Sequence, residues 1–273
     1  MQLGKETNSL NQTCAVVDLG LISHSSAYEL QQRVVAARKA REIGDVLLFC
    51  EHPHVITQGR NGKPEHLRAS AHLLDQMNVE FHETDRGGDI TYHGPGQIVG
   101  YPIIDLTAHR RDVRWYVQQL EEVMIQTSAE YGVEAARIEG QHGIWVRTTD
   151  DADEKLAAIG VHLSRWVTSH GFAYNVSTDL RYFDLIVPCG ISGKRATCLE
   201  RILGRVAQSA AVKANLTQSF GRVFDREMIS MSSRELESQL ARLSSSSSGP
   251  PASVAPEITG QIEFTNAGVP SGH

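Results

Sequence analysis

Apolar positions in the first fifty residues alternate between strand-like runs and helical spacing. The segment Cys14–Gly20 (CAVVDLG) predicts a short strand that ends in glycine, and Asp45–Cys50 (DVLLFC) predicts a compact apolar strand. Between them, Ser26 and Glu29 match a capping box, which predicts that a helix begins there, and Gly44 marks its end. The apolar positions of this helix recur every three or four residues: Ala27, Leu30, Val34 and Ala37.

The rest of the chain mixes helices and strands without strict alternation. The predicted elements, in order, are a helix from Pro64 with Leu67, Ala71 and Leu74 on one face, a strand, glycine-rich loop and strand within Phe81–Leu106, a helix from Asp112 to Gly132, strands in Gly143–Val146 and Lys155–Val176, and helices over Leu203–Phe220 and Arg234–Leu243. This order favours an α+β domain over a doubly wound parallel sheet.

The composition changes after Leu243, where five serines are followed by Gly249, Pro250 and Pro251. Such a segment cannot bury enough apolar surface to offset the entropy of ordering it. We therefore expect a flexible N-terminus at residues 1–13, one folded domain at residues 14–243, and a disordered tail at residues 244–273.

Composition excludes several classes of function. The chain has 273 residues, is 41% hydrophobic and carries a formal net charge of −6, which argues against nucleic acid or an anionic membrane as the main partner. It contains no apolar run of about 18 residues that would span a bilayer, and Met1–Thr13 lacks the apolar stretch of a secretory signal. Four cysteines are too few for a disulfide framework at this length, so we expect free thiols and a cytoplasmic location.

A glycine-rich segment begins at Arg86, reads RGGDITYH to His93 and continues as GPGQ to Gln97. Four glycines and a proline within twelve residues indicate a backbone that turns sharply or approaches a ligand closely. Arg86, Tyr92 and His93 would then place polar side chains at the rim of this loop. An ordinary hairpin with a wide turn fits the same spacing. The glycines match neither a P-loop nor a dinucleotide fingerprint, so a phosphate site is not indicated.

Lys155 follows an acidic stretch and precedes a run of small and apolar residues that extends to Gly160. The pattern suits a strand that lines an apolar pocket, and Gly160 and Gly171 would let a ligand lie close to the backbone. A solvated surface lysine is the alternative interpretation, because most lysines are exposed.

Cys189 stands between Pro188 and Gly190, a setting in which a thiol is more exposed than it is inside a strand. A thiolate nucleophile needs a nearby cation, helix end or base to lower its pKa. A buried loop cysteine fits the same pattern. The other three cysteines are interpreted as small buried apolar residues: Cys14, Cys50 and Cys198.

Together, these three segments resemble the lipoyl(octanoyl) transferase family, acyltransferases that move octanoyl from acyl carrier protein to lipoyl domains. The resemblance spans Cys14 to Phe220 and is specific in RGGDITYHGPGQ, in Lys155–Ala173 and in PCGI at Pro188–Ile191. It implies the single-domain α+β fold of biotin and lipoate protein ligases, with a mixed sheet flanked by helices.

The resemblance also implies roles for individual residues. Cys189 would carry the acyl group as a thioester, and Lys155 would lower the pKa of its thiol. The substrate pocket would be lined by Arg86, Gly87, Gly88, Asp89, Ile90, Thr91, Tyr92, His93, Ala158, Ile159, Gly160, Gly171, Phe172 and Ala173. The family usually has Gln-Val in place of Asp89-Ile90, and serine is frequent in place of Ala158.

By the same resemblance, the reaction is the first step of protein lipoylation and needs no ATP, metal or redox cofactor. The donor would be octanoyl-acyl carrier protein. The acceptors would be lipoyl domains of 2-oxoacid dehydrogenase E2 subunits and the glycine cleavage H protein.

Two alternatives remain open at this stage. An ATP-dependent lipoate or biotin protein ligase has the same fold, but it typically has two arginines and three glycines where this chain has Arg86-Gly87-Gly88. A non-catalytic acyl-binding module would need the apolar pocket but not Cys189 and Lys155 together.

Overall fold

The strands and helices of the protein were assigned from a computed structural model, which describes residues 12–148, 152–187 and 195–246. The strands are β1 Thr13–Leu21, β2 Asp45–Glu51, β3 Val55–Gln58, β4 Glu80–Glu83, β5 Ile90–His93, β6 Gln97–Ile103, β7 Ala135–Ile138, β8 Gln141–Arg147, β9 Asp153–Ser164, β10 Val167–Asn175, β11 Arg195–Ala196 and β12 Glu227–Ser230. The helices are α1 His24–Lys39, α2 Ala71–Gln76, α3 Val113–Ala129, α4 Leu199–Leu203, α5 Ser209–Phe224 and α6 Ser233–Ser246. Single 3-10 turns lie at Pro64–His66, Leu106–Ala108 and Leu180–Leu185.

Two sheets share these strands. The main sheet has the order β12-β1-β2-β6-β10-β9-β8-β7, with β11 paired to β9, and the small sheet has the order β4-β3-β5. Strand β1 runs parallel to β12 and β2, whereas the pairs from β2–β6 to β7–β8 are antiparallel. A mixed sheet with helices on both faces confirms the predicted α+β class.

The central strands are apolar throughout because both faces of the main sheet are covered. In β2, Leu47 and Phe49 pack in the core that includes α3 and α5, whereas Val46, Leu48 and Cys50 pack on the opposite face with α1 and α6. Successive side chains of a strand point to opposite faces, so a strand buried on both faces needs an unbroken apolar run such as DVLLFC. The small sheet covers the same face as α1, farther along the main sheet.

The N-cap of helix α1 lies three residues before the predicted cap at Ser26. Ser23, in extended conformation, is the N-cap, and its Oγ accepts a hydrogen bond of 3.2 Å from the amide of Ser26. The helix ends at Lys39, before Gly44. The predicted capping box at Ser26 was therefore wrong, because Ser23 is the cap and the amide of Ser26 donates to its hydroxyl.

Two other predicted helices are interrupted. Pro64 starts only a 3-10 turn, Leu67 then forms a β-bridge with Ile186, and α2 begins after a separate cap at Ser70. The predicted helix over 203–220 begins only at Ser209, because Leu203 is the last residue of α4 and Gly204 ends that helix in the left-handed conformation with φ of 64°. Glycine adopts that conformation readily, so it terminates helices.

The predicted domain limits are only partly covered by the described residues. Strand β1 begins at Thr13, and α6 runs to Ser246, so residues 244–246 continue a helix instead of starting the tail. The remainder of both predicted flexible segments, residues 1–11 and 247–273, lies outside the described residues.

Gly171 of β10 lies against the backbone of β6 with no room for a side chain. A Cβ at this position would lie 2.1 Å from the carbonyl oxygen of Gly100, which no real contact allows. We expect Gly171→Ala to lower the free energy of unfolding by about 1–3 kcal/mol through overpacking. Urea denaturation would measure the change, with the exposed helical change Ser238→Ala expected to stay within about 0.5 kcal/mol of wild type. Equal stabilities for the two variants would contradict this account of Gly171.

Candidate active site

A cavity of about 530 Å³ lies between the main sheet and the small sheet. Strands β6, β9 and β10 form its floor, and β5, Thr57 of β3 and the loop after β4 form its opposite wall. The predicted site residues that line it are Arg86, Gly88, Asp89, Ile90, Thr91, His93, Lys155, Ala158, Ile159, Gly160, Gly171, Phe172 and Ala173. The fold therefore brings together two segments that are about seventy residues apart in the sequence.

Strand register explains why the floor is open and largely apolar. Ala173 pairs with Val99 on one side and with Ala158 on the other, so these three small side chains form a row across the sheet. Toward one end of the cavity, Gly171 pairs with Gly160. Side chains of this size leave space above the sheet that larger residues would fill.

Lys155 reaches the cavity because β9 contains an extra residue. Ile144 of β8 pairs with Ala157, but the next residue, Trp145, pairs with Lys155, so one step along β8 corresponds to two along β9. Leu156 and Ala157 consequently both point into the core, and Lys155 lies on the cavity face. Its Nζ atom lies 4.6 Å from the ring centroid of Trp145, a cation–π contact. Lys155 is half-buried in a cavity wall, unlike a solvated surface lysine.

Cys189 lies outside the described residues, as do its neighbours from 188 to 194. The described residues on either side of this segment are firmly paired. Before it, the amide of Val187 donates to the carbonyl of His66 at 2.7 Å. After it, Arg195 and Ala196 pair with Glu154 and Lys155. His66, Arg195 and Ala196 all line the cavity, so the chain enters and leaves this segment at the cavity rim.

Arg86 is buried and ties the loop after β4 to strand β3. Its guanidinium donates hydrogen bonds to the hydroxyl and carbonyl oxygens of Thr57 and to the carbonyl of Gly87. The loop presses directly on the floor, because a Cβ at Gly160 would lie 2.8 Å from the carbonyl oxygen of Gly87. Glycine at position 160 is thus required for this close approach.

The carboxylate of Asp89, the departure from the family pattern, contacts a histidine. Its Oδ2 atom lies 2.6 Å from Nδ1 of His66, and its Oδ1 atom accepts from the amide of Ile90 at 2.7 Å. Both side chains line the cavity. The negative charge that Asp89 adds to the cavity wall therefore lies beside the imidazole of His66 and the amide of Ile90.

A chain of buried polar groups runs from the small sheet to Thr197, the residue just after β11. His93 Nδ1 lies 2.7 Å from Oε1 of Gln97, Gln97 donates to Asn175 at 2.9 Å, and Asn175 donates to the carbonyl of Thr197 at 2.9 Å. The carbonyl of Tyr92 accepts from Nε2 of Gln97, which fixes the orientation of the amide. Oε1 is then an acceptor, so His93 carries its proton on Nδ1 and leaves Nε2 as an acceptor.

Gly87 and Tyr92, which the sequence placed in the pocket wall, stand outside the cavity lining that the described residues form. Tyr92 packs in the apolar cluster that also contains Ile56 and Leu185, on the face of β5 away from Thr91 and His93. Its hydroxyl lies 2.7 Å from Nδ1 of His54, and its ring stacks on Tyr182. Gly87 donates its amide to the carbonyl of Val161.

Sequence reasoning missed several polar members of the cavity wall: Thr57, Gln97, Tyr101, Trp145 and Asn175. One signal was present for Asn175. It lies between Tyr174 and Val176 at the end of an apolar strand, and a buried polar residue in such a place needs partners in the fold.

Comparison with known proteins places this architecture in a class. A solved bipartite lipoate protein ligase from Thermoplasma acidophilum superposes with a TM-score of 0.67 at 13% identity, covering 85% of this chain and 92% of that one. At this identity the likeness shows the fold alone, that of lipoate protein ligases, as the sequence predicted.

The family follows from the sequence relatives. The model of the lipoyl protein ligase A/B catalytic domain matches residues 24–221. An octanoyltransferase of Solibacter usitatus is 51% identical over 218 residues, which cover 80% of this chain and 96% of that protein. One of Acidobacterium capsulatum is 44% identical over 248 residues, covering 85% and 98%. The chain belongs to the lipoyl protein ligase A/B catalytic-domain family, and the predicted resemblance is confirmed.

None of the helices in the described parts of the chain has both the length and the apolar character that crossing a membrane requires.

The buried imidazole of His93 predicts a pH-dependent stability. Burial, reinforced by nearby His52, holds the pKa of His93 well below its ordinary value of about 6.5. Below about pH 6.5 the unfolded chain binds a proton at this residue that the folded protein does not, so the free energy of unfolding falls as pH falls. This contribution amounts to about 1.4 kcal/mol per pH unit.

We expect His93→Asn, which retains a donor for Gln97, to reduce the loss of unfolding free energy between pH 7 and pH 5 by about 2 kcal/mol. Urea titrations at both pH values would measure this difference. Above pH 7 the curves of variant and wild type should run parallel, which serves as the internal control. An unchanged loss in the variant would show that His93 takes up its proton in the folded protein.

Proposed function

We propose that the protein is an octanoyltransferase that accepts octanoyl from octanoyl-acyl carrier protein on Cys189 and passes it to a lysine of a lipoyl domain. Relatives at 41–51% identity carry the name octanoyltransferase, and the match to this chain covers most of the length of each. One structural observation carries the assignment of residues. The extra residue in β9 turns Lys155 into the cavity, and Ala196, just after the segment of Cys189, pairs with Lys155.

The cavity has the form that an acyl chain requires. Its floor of Val99, Ala158 and Ala173 is apolar, and it extends along the strands from Asn175 to Gly171. Four residue steps along a strand correspond to about 14 Å. A linear acyl group attached near Lys155 would lie along this floor and bury its methylenes against the small side chains.

Each step of the proposed reaction balances without an external energy source. The Cys189 thiolate attacks the carrier thioester, which forms a new thioester and releases the carrier thiol, and Lys155 passes the Cys189 proton to that leaving thiol. The acceptor amine then attacks the enzyme thioester, an amide forms, and the thiol of Cys189 is released. Thioester exchange is close to neutral in energy, and amide formation from a thioester is downhill.

The charges of the cavity wall suit a phosphorylated carrier arm. The described lining contains the cations of Lys63, Arg86, Lys155 and Arg195 but only the carboxylate of Asp89, in a chain of net charge −6. The two exposed cations at the rim, Lys63 and Arg195, would meet the phosphodiester of the prosthetic arm on its way in. Acyl carrier protein as donor and lipoyl domains as acceptors are proposed on this basis and on the family.

A cytoplasmic location is part of the proposal. The described cysteines Cys14, Cys50 and Cys198 are free and buried, which suits a reducing compartment.

An ATP-dependent ligase is the second candidate, because solved lipoate protein ligases share the fold. One of them, bound with ATP, has a TM-score of 0.62 at 11% identity, a likeness of fold alone. A ligase activates a free acid with ATP, whereas the proposed transferase takes an acyl group that the carrier has already activated.

Intact-mass analysis distinguishes the transferase from the ATP-dependent ligase. After incubation with octanoyl-carrier and chelator, without ATP, we expect intact mass to increase by one octanoyl group that peptide mapping places on Cys189. Cys189→Ser should lose the adduct and most of the transfer activity, because an alcohol is not ionised by a lysine. Cys198→Ser is the matched control and should keep both. Transfer that requires ATP would assign the protein to the ligases, and wild type that forms no adduct and transfers nothing with or without ATP would fit a non-catalytic acyl-binding module.

The role of Lys155 is tested by comparing arginine with alanine at that position. If Lys155 transfers protons, Lys155→Arg should lose nearly as much activity as Lys155→Ala, since a guanidinium keeps its proton near neutral pH. Iodoacetamide labelling of Cys189 should begin well below pH 8.5 in wild type and shift upward in Lys155→Ala. Identical labelling profiles in wild type and Lys155→Ala would remove Lys155 from the mechanism, and retention of activity by Lys155→Arg would limit it to an electrostatic role.

A further inference from the structure

The cavity has a second end, opposite Lys155. Along the floor, the row that contains Gln97 and Asn175 lies toward Lys155, and the pair Gly171 and Gly160 lies four residue steps away along β10. Tyr101, four residues beyond Gln97 on β6, belongs to this far end. An acyl chain whose carbonyl reacts near Lys155 would therefore direct its methyl end toward Gly171 and Tyr101.

His24 closes the cavity at this far end. It is the first residue of α1, is 6% exposed and lines the cavity. It also lines a second cavity of about 400 Å³, formed with Ser25, Tyr28, Glu29 and residues 82–85. His24 is thus part of the partition that separates the acyl cavity from this second cavity.

The rest of this partition is held by hydrogen bonds. His170, which lines the first cavity, stacks on Tyr28, which lines the second, with ring centroids 5.6 Å apart. Both bond to the same oxygen of Asp85, Tyr28 through its hydroxyl at 3.2 Å and His170 through Nε2 at 2.7 Å. The bond from His170 holds the pKa of Asp85 well below its usual value, so the carboxylate is the acceptor of both bonds.

The imidazole of His24 presents an uncharged wall to the cavity. Burial, together with the nearby His52 and His82, lowers the pKa of His24 to about 3, so the ring is neutral near pH 7. The ring stacks on His82, with centroids 5.2 Å apart, and meets His52 edge-on at 5.7 Å. Beyond it lies the second cavity, which carries the carboxylates of Glu29, Glu83 and Asp85 in its wall but whose lining surface is mostly apolar.

We propose that His24 is the residue that limits acyl chain length in this transferase. The inference rests on the proposed function, because it assumes that the acyl group occupies the cavity with its carbonyl toward Lys155. A chain that reaches past Gly171 must displace His24, and a shorter side chain there joins the two cavities. Longer acyl groups then extend into the second cavity without a steric clash.

The test compares kcat/KM for hexanoyl, octanoyl, decanoyl and dodecanoyl groups on the same carrier protein. We expect His24→Ala to raise the ratio of decanoyl to octanoyl transfer about tenfold or more, since one misfitting methylene in a closed pocket changes rates by roughly 10–200-fold. His24→Trp should act in the opposite direction and lower the ratio of octanoyl to hexanoyl transfer. The two variants predict opposite shifts, so either one tests the proposal if the other does not fold.

His82→Ala is the matched control. His82 stacks on His24 from the side of the second cavity and does not line the acyl cavity. The chain-length profile of His82→Ala should therefore equal that of wild type. Wild-type ratios in folded His24→Ala or His24→Trp would overturn the inference while leaving the transferase assignment intact. A wild-type protein that transfers none of the four acyl groups would instead overturn the proposed function, and this inference with it.

Discussion

The extra residue in strand β9 is the constraint on which the geometry of the site depends. Regular alternation would place Lys155 on the same face as Ala157, in the core beneath α3 and α5. The register shift against Trp145 and Ile144 sends Leu156 and Ala157 into that core and returns Lys155 to the cavity face. The pairing of β10 with β9 stops at Ala157, and Glu154 and Lys155 pair instead with β11, which brings the chain after Cys189 beside Lys155.

Buried polar groups hold the walls of the cavity in one arrangement. The hydrogen bonds from His93 through Gln97 and Asn175 end on the carbonyl of Thr197. They join the small sheet, the main sheet and the residue just after β11. Arg86 joins the glycine loop to β3 in the same way. A buried polar group that loses its partner costs about 1–3 kcal/mol, so these bonds oppose any shift of one wall relative to the other.

Several parts of this site were accessible from the sequence. RGGDITYH, the small residues after Lys155 and the glycines at 160 and 171 signalled close backbone approach, and the structure places most of them around one cavity. Tyr92 and Gly87 were assigned to its wall because spacing within a loop carries no information about direction. Three helix ends were predicted wrongly: the cap at Ser23, the interruption after Pro64 and the end at Gly204. At each of them more than one nearby residue could begin or end a helix, and the sequence pattern does not say which one does.

The sequence by itself determined the fold class, the family and the chemical identities of the candidate residues, because apolar patterning, glycine positions and motif order are local properties. Tertiary structure decided which side chains face each other. The register shift at Lys155, the contact of Asp89 with His66 and the position of His24 between two cavities all depend on pairing between segments distant in the chain. Strand register and helix docking are set by packing across the sheet, and no local pattern of residues specifies them.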